Sequence, residues 1–251
     1  MRRGVAGIAL VALVAAAGCA AIMGIEEGRL VAAKDDAGGA VDGSVDAPSE
    51  ASSEAAAPDG AIGDAGCDAA TATLTSVEDT FLVDDDGGAY GVQSTVDIGQ
   101  NVTAVGLFRF ELGASIGASV KAGRAQATLV LRVDDSVSFG VPGSAQVYPI
   151  RDAWKEADAT WRLSAAGSQW EGAGASGPLD RGDLVGGGSV VSAAKGVEIR
   201  IPLDRLDAGA AWVEKDRISL LVEPKSSLRA VVIAHEGPEA GAPRLEVRYC
   251  P

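Results

Sequence analysis

Histidine occurs once in this chain of 251 residues, cysteine three times and methionine twice, and aromatic side chains make up 4% of it. The lone histidine, His235, leaves a Ser-His-Asp or Cys-His device only one place to stand. It falls in HEG before a Gly-Pro-Glu loop, with no G-x-S-x-G or comparable nucleophile motif nearby. Acidic residues are plentiful, yet nothing in their spacing marks out a pair for glycoside hydrolysis. The chain is therefore expected not to be an enzyme, and His235 reads as a structural or surface residue. Basic residues are short too: 21 Lys and Arg against 35 Asp and Glu give a net charge of -14, which argues against nucleic acid as a partner. No strand-helix-strand rhythm runs through the sequence, which excludes doubly wound and barrel α/β folds.

What is present begins with an export signal. Arg2 and Arg3 form a positive start, an apolar run follows that is too short to span a bilayer comfortably, and Ala15, Ala16, Ala17 and Gly18 offer small residues to a peptidase. Cys19 comes next, so AAGC resembles the lipobox of bacterial lipoproteins, which implies that residues 1–18 are removed and that Cys19 becomes a lipidated first residue. Acyl chains contribute about 0.8 kcal/mol per buried CH2, and several together make a stable anchor. Ala20 beside the cysteine resembles lipoproteins sent to the outer membrane. The other reading is an ordinary signal cut after Ala17 or Ala20, which leaves the protein secreted.

Residues 19–66 read as a tether. From residue 35 to residue 70 the composition is Ala, Gly, Ser, Asp, Glu and Pro with very few large aliphatics, too little apolar surface to offset the entropy of ordering. Residues 26–70 hold 11 acidic and two basic side chains. Their mutual repulsion is expected to extend the segment and hold the following domain away from the membrane surface.

Residues 67–251 are enough for one domain with a real core. Ten strand-like runs fill them, at 72–76, 80–83, 94–98, 105–112, 125–133, 145–150, 197–203, 217–223, 230–234 and 244–249, nearly all separated by Gly-rich or Asp-rich turns. In LFRFEL the pattern sets Leu107, Arg109 and Glu111 on one face against Phe108, Phe110 and Leu112 on the other; VEIRIPL alternates in the same way. Only residues 204–212 suit a helical turn. The expected fold is all-β, an antiparallel two-sheet sandwich of jelly-roll type. Cys67 lies just before the first strand and Cys250 just after the last, the natural disulfide pair of an exported protein.

The segment QVYPIRDAWKEADATWR, residues 146–162, stands out because Trp154 and Trp161 bracket a polar stretch in a chain poor in aromatics. Both indoles read as packing residues that pin a turn to the core, with Asp152, Glu156 or a carbonyl as acceptor for a buried N–H.

These stretches, together with VEDTFLVDDDGGAYG, STVDIG, GLFRFEL, ATLVLRV, WVEKDRISLLVEP and HEGPEAGAPRLEVRY, resemble the DNRLRE-type β-sandwich domain, whose members include carbohydrate-binding modules of family 96. The resemblance spans residues 71–249, and its most specific piece is the set Trp154, Glu156, Thr160 and Trp161. The chain departs from the family at His235, where Arg or Ser usually precedes the acidic residue, and at Arg162, where Asn commonly follows the Thr-Trp pair. The resemblance implies a non-catalytic module of secreted and surface proteins, in some cases one that binds acidic polysaccharide.

Candidate ligand contacts follow from this. Trp170, in the long Gly-rich stretch 164–192, is the first choice of aromatic platform and Tyr90 the second, although capping one end of the sandwich is an equal role for Trp170. Arg109, Arg132 and Arg200 lie on polar strand faces and would offset the excess of acids in residues 71–251, 24 acidic against 17 basic, only if they gathered on one sheet; otherwise they pair with Glu111 and Glu198. Asp79, Asp84, Asp85 and Asp86 crowd one loop with oxygen ligands suited to a structural Ca2+, or form a solvated acidic turn closed by Gly87 and Gly88. No other cofactor is expected. The sequence thus points to a monomeric outer-membrane lipoprotein that displays a polysaccharide-binding module, or else a structural or adhesion module that meets an envelope protein.

Overall fold

One long strand joins two sheets. In Ala70–Val83 (β1) the first half alternates, with Thr71, Thr73 and Thr75 exposed, and pairs antiparallel with Arg244–Tyr249 (β12). At Ser76–Glu78 the register shifts, and the second half pairs instead with Ala104–Glu111 (β3). The inserted residue, Val77, bends the strand as a bulge does and carries it from one layer into the next. The structure, a computed structural model, describes residues 67–84, 87–100, 103–136, 140–151 and 153–251. The expected signal, Cys19 and the acidic tether therefore lie outside the described residues, as do Asp85, Asp86 and Asp152.

The first sheet runs β1, β12, Ala125–Arg132 (β4), Glu198–Leu203 (β9). The second runs β1, β3, Arg217–Lys225 (β10), Gly143–Ile150 (β5), Gly186–Val190 (β8). A ribbon of Thr95–Gly99 (β2) and Arg229–Ile233 (β11) leaves β3 at the Gly99–Ala104 pair and touches the end of β4 through a Val133–Val232 bridge. At the other edge β8 lies against β9, so the layers nearly close on themselves. All ladders are antiparallel, and the fold is the all-β two-sheet sandwich that the period-two patterning predicts. Cys67 and Cys250 are disulfide-bonded, with Cα atoms 5.9 Å apart.

Between the sheets Phe108, Phe110, Leu220 and Val147 meet Leu129, Ile201, Leu245 and Val247. A second apolar cluster lies on the outer side of the second sheet, where Leu82, Leu107, Ile150 and Leu221 are covered by Trp154, Ala159 and Trp170 from the segment between β5 and β8. This corrects the expected two-faced β3. Every residue from Ala104 to Phe110 is buried and only Glu111 is exposed, because a loop, rather than water, covers the Leu107 and Arg109 side.

Two further features depart from the reading of ten strand runs and one helical turn. Stretch 164–192 is not without structure: Leu163–Ala165 (β6) and Ser168–Gln169 (β7) form a small hairpin and β8 belongs to the second sheet. A helix, Gly113–Lys121 (α1), also sits where the sequence suggested none, and it packs against the 3-10 turn Leu206–Trp212. Ile116 and Val120, four apart, make its buried face. Its end is a Schellman turn: Gly123, with φ +66°, donates to the Val120 carbonyl and Arg124 donates to that of Ser119.

Candidate functional site

The covering loop holds Trp170, the first choice of aromatic platform, together with the packing residues Trp154 and Trp161, and it turns them inward. Trp170 is 7% exposed and its Nε1 donates to the Thr160 carbonyl at 2.9 Å, so it is a strut of the loop and not an open platform. Thr160 Oγ1 accepts from the Leu163 amide at 3.1 Å, and Trp161 is half-buried against the same cluster. Trp154 is fully buried, and its indole N–H finds no acceptor among the described residues. Arg109 lies over the face of this ring, its guanidinium carbon 4.3 Å from the centroid. Arg109 also donates to the Trp154 carbonyl at 2.9 Å and to Ser219 Oγ at 3.2 Å, and pairs with Glu78. The expected surface arginine is thus a buried tie between β3, β1, β10 and the loop.

Arg132 and Arg200 are elsewhere, on the outer face of the first sheet. Arg132 meets Asp135 at 3.4 Å. Arg200 pairs with Glu246 and, at 3.6 Å, with Glu198, while Arg244 reaches Glu198 at 2.9 Å. The Glu246 hydrogen bond pushes the Arg200 pKa up, and the same contact holds the Glu246 carboxyl below its usual range. Val130, in register between Arg244 and Arg200, is fully buried beneath this lattice. The three arginines therefore do not gather, and those on the first sheet are compensated by neighbouring acids.

A polar cluster that no single sequence motif announces forms where three segments converge. Asp79 comes from β1, Glu156 from the loop after β5, and His235 with Glu236 from the turn after β11; one ligand atom from each lies within 4.8 Å of all the others. Backbone amides fix the carboxylates: His235 N–H donates to Asp79 Oδ2 at 2.9 Å, and Asp79 N–H donates to Glu156 Oε1 at 2.8 Å. Ser76 Oγ adds a third bond, to Asp79 Oδ2 at 3.1 Å. Gly91 lets the loop come this close, since a Cβ there would sit 2.1 Å from the Glu156 carbonyl oxygen. His235 Nδ1 faces Glu236 at 3.1 Å, Glu156 at 3.3 Å and Asp79 at 3.6 Å. Burial is the main cause that pushes Asp79 up to about 6 and Glu156 up to about 7. Asp84 is not part of this group. It follows the end of β1, about 16 Å along the strand from Asp79, so the acidic-loop set for Ca2+ is divided.

The remaining candidate, Tyr90, is placed differently. Its ring stacks on Phe81 with centroids 4.3 Å apart, and together with Ile98 and Val231 it lines a concavity of about 330 Å³. Asp97 and Arg229 also line it, on the neighbouring strands β2 and β11. Partial desolvation raises the Asp97 pKa against the opposing pull of Arg229. The result is an aromatic and aliphatic floor beside one acidic and one basic side chain, a composition suited to a small polar ligand with an apolar face.

Neither a scan of protein-family models nor a search of curated proteins found a match to this chain.

Proposed function

We propose that this protein is a non-catalytic binding module for polysaccharide, carried at the bacterial outer membrane by a lipid on Cys19 and an acidic tether. The reading rests chiefly on the Tyr90 concavity, where an aromatic ring, Asp97 and Arg229 converge in one open hollow. Sugars offer that combination an apolar ring face and flanking hydroxyls, and such a surface holds ligand without a reacting group. The resemblance of residues 71–249 to the DNRLRE-type domain points the same way.

An uncharged polysaccharide suits the site better than a uronate. The arginines of the first sheet are already engaged by Glu198, Glu246 and Asp135, and the domain carries more acids than bases. Glycan arrays and affinity electrophoresis are expected to detect a polysaccharide ligand for the purified protein, with affinity reduced at least tenfold by Tyr90→Ala and unchanged by Arg200→Ala. Loss of the protein from the membrane fraction on Cys19→Ser tests the anchor. Absence of glycan binding by the folded protein contradicts the reading.

A second reading, a structural or adhesion module for an envelope protein, has its own support. The outer face of the first sheet is a shallow polar surface lined by Thr71, Thr73, Gln126, Thr128 and Arg248 beside the ion-pair lattice, and Trp154 and Trp170 are buried. Pull-down of an envelope protein that is lost on disrupting this face, with no glycan bound, would favour it.

A further inference from the structure

We infer that Asp79, Glu156, His235 and Glu236 form a binding site for a divalent first-row transition ion of the Zn2+ or Mn2+ kind. The site is independent of the glycan reading and lies in different residues.

The geometry has three parts. First, four ligand-type side chains from three distant stretches of chain bring one donor atom each within 4.8 Å of one another, the spacing of a shared coordination sphere. Second, two of the buried donor atoms have no hydrogen-bond partner among the described residues: Asp79 Oδ1, on a residue only 1% exposed, and His235 Nδ1. A buried carboxylate oxygen left without a donor is costly, and the imidazole nitrogen, surrounded by three carboxylates, lacks a hydrogen bond to any of them. A cation placed among these atoms satisfies both. Third, the carboxylates are held by groups outside the sphere, as ligands of a metal are: the His235 amide and Ser76 hydroxyl on Asp79, and the Asp79 amide on Glu156.

The donor set selects the ion. Three carboxylates with one imidazole suit Zn2+, Mn2+ and their neighbours, whereas Ca2+ takes oxygen ligands and gains little from the histidine. Glu236 is exposed and Glu156 and His235 half-buried, so an ion has a path in from solvent. Bound there, it would clamp the covering loop, through Glu156, to β1 and to the turn after β11.

The test uses the full chain, stripped with chelator and exchanged into metal-free buffer. Isothermal titration with Zn2+, Mn2+ and Ca2+ in turn is expected to show one equivalent of Zn2+ or Mn2+ per chain, with a higher melting temperature in the loaded protein. His235→Ala is expected to weaken binding at least tenfold. Glu236→Gln alters an exposed ligand whose loss spares the core, and is expected to weaken it as well, with far-UV circular dichroism unchanged. No stoichiometric binding by the wild-type protein, binding of Ca2+ alone, or affinity unchanged in the two variants would overturn the inference, and would leave the cluster as carboxyl groups that share protons. None of these outcomes depends on whether Tyr90→Ala alters glycan binding.

Discussion

At the scale of single residues, the polar cluster shows how burial sets the sign of a pH effect. Asp79 and Glu156 are raised from 3.8 and 4.5 to about 6 and about 7, so between pH 4 and pH 7 the folded state holds protons that the unfolded chain releases. These two groups therefore destabilise the metal-free fold as pH rises through that window. The groups facing them are His235, Glu236 and Ser76. Thermal unfolding of chelator-treated protein is expected to give a higher melting temperature near pH 5 than near pH 8, with a smaller difference in Glu156→Gln. A melting temperature that rises with pH and is indifferent to that substitution would contradict this. Arg109 teaches a complementary lesson. Its place in LFRFEL marked the polar face of a strand, yet it is 1% exposed, held by Glu78, Ser219, the Trp154 carbonyl and the Trp154 ring. Alternation reports which side of a strand a residue takes and is silent on what will lie over that side.

At the scale of elements, the covering loop between β5 and β8 decides most of the differences between sequence and structure. Trp170→Ala removes a buried indole and its bond to the Thr160 carbonyl, and is expected to cost about 3 to 5 kcal/mol. The damage should centre on the loop: faster proteolysis within residues 151–182 and retained glycan affinity at the Tyr90 concavity, measured on the same preparation. A tenfold loss of glycan affinity with the loop intact would instead make Trp170 a ligand contact. The ten strand runs were legible because their apolar residues recur with period two, although 72–76 and 80–83 are two halves of the one strand β1, joined by a bulge where the sequence suggested a turn. The helix α1 was not, because GASIGASVK is rich in small residues and carries only the Ile116 and Val120 pair as an apolar stripe. Its stop signal was readable in Gly123 followed by Arg124. The metal-type cluster was hidden for a different reason. Its members are separated by 77 and 79 residues along the chain, between Asp79 and Glu156 and between Glu156 and His235, and only the folded sheet order brings them together. A search for cysteine and histidine spacing passes over a site built of carboxylates with one imidazole.

At the scale of the whole molecule, β1 and the disulfide carry the organisation. The bulge at Ser76–Glu78 lets one strand belong to both layers, and the Cys67–Cys250 bond ties the start of that strand to the end of β12. Closing a loop of this length constrains the unfolded chain by about 5 kcal/mol in the entropic picture. The Tyr90 concavity lies on the β2–β11 ribbon and the far half of β1. The claim that this hollow is where a polysaccharide binds is tested most directly by amide chemical-shift mapping of the labelled protein during titration with the best glycan from the array. The account expects the largest shifts at Tyr90, Asp97, Ile98 and Arg229, saturable and absent in Tyr90→Ala. Shifts centred on Thr73, Thr128 and Glu246 of the first sheet, or none at saturating glycan, would contradict it.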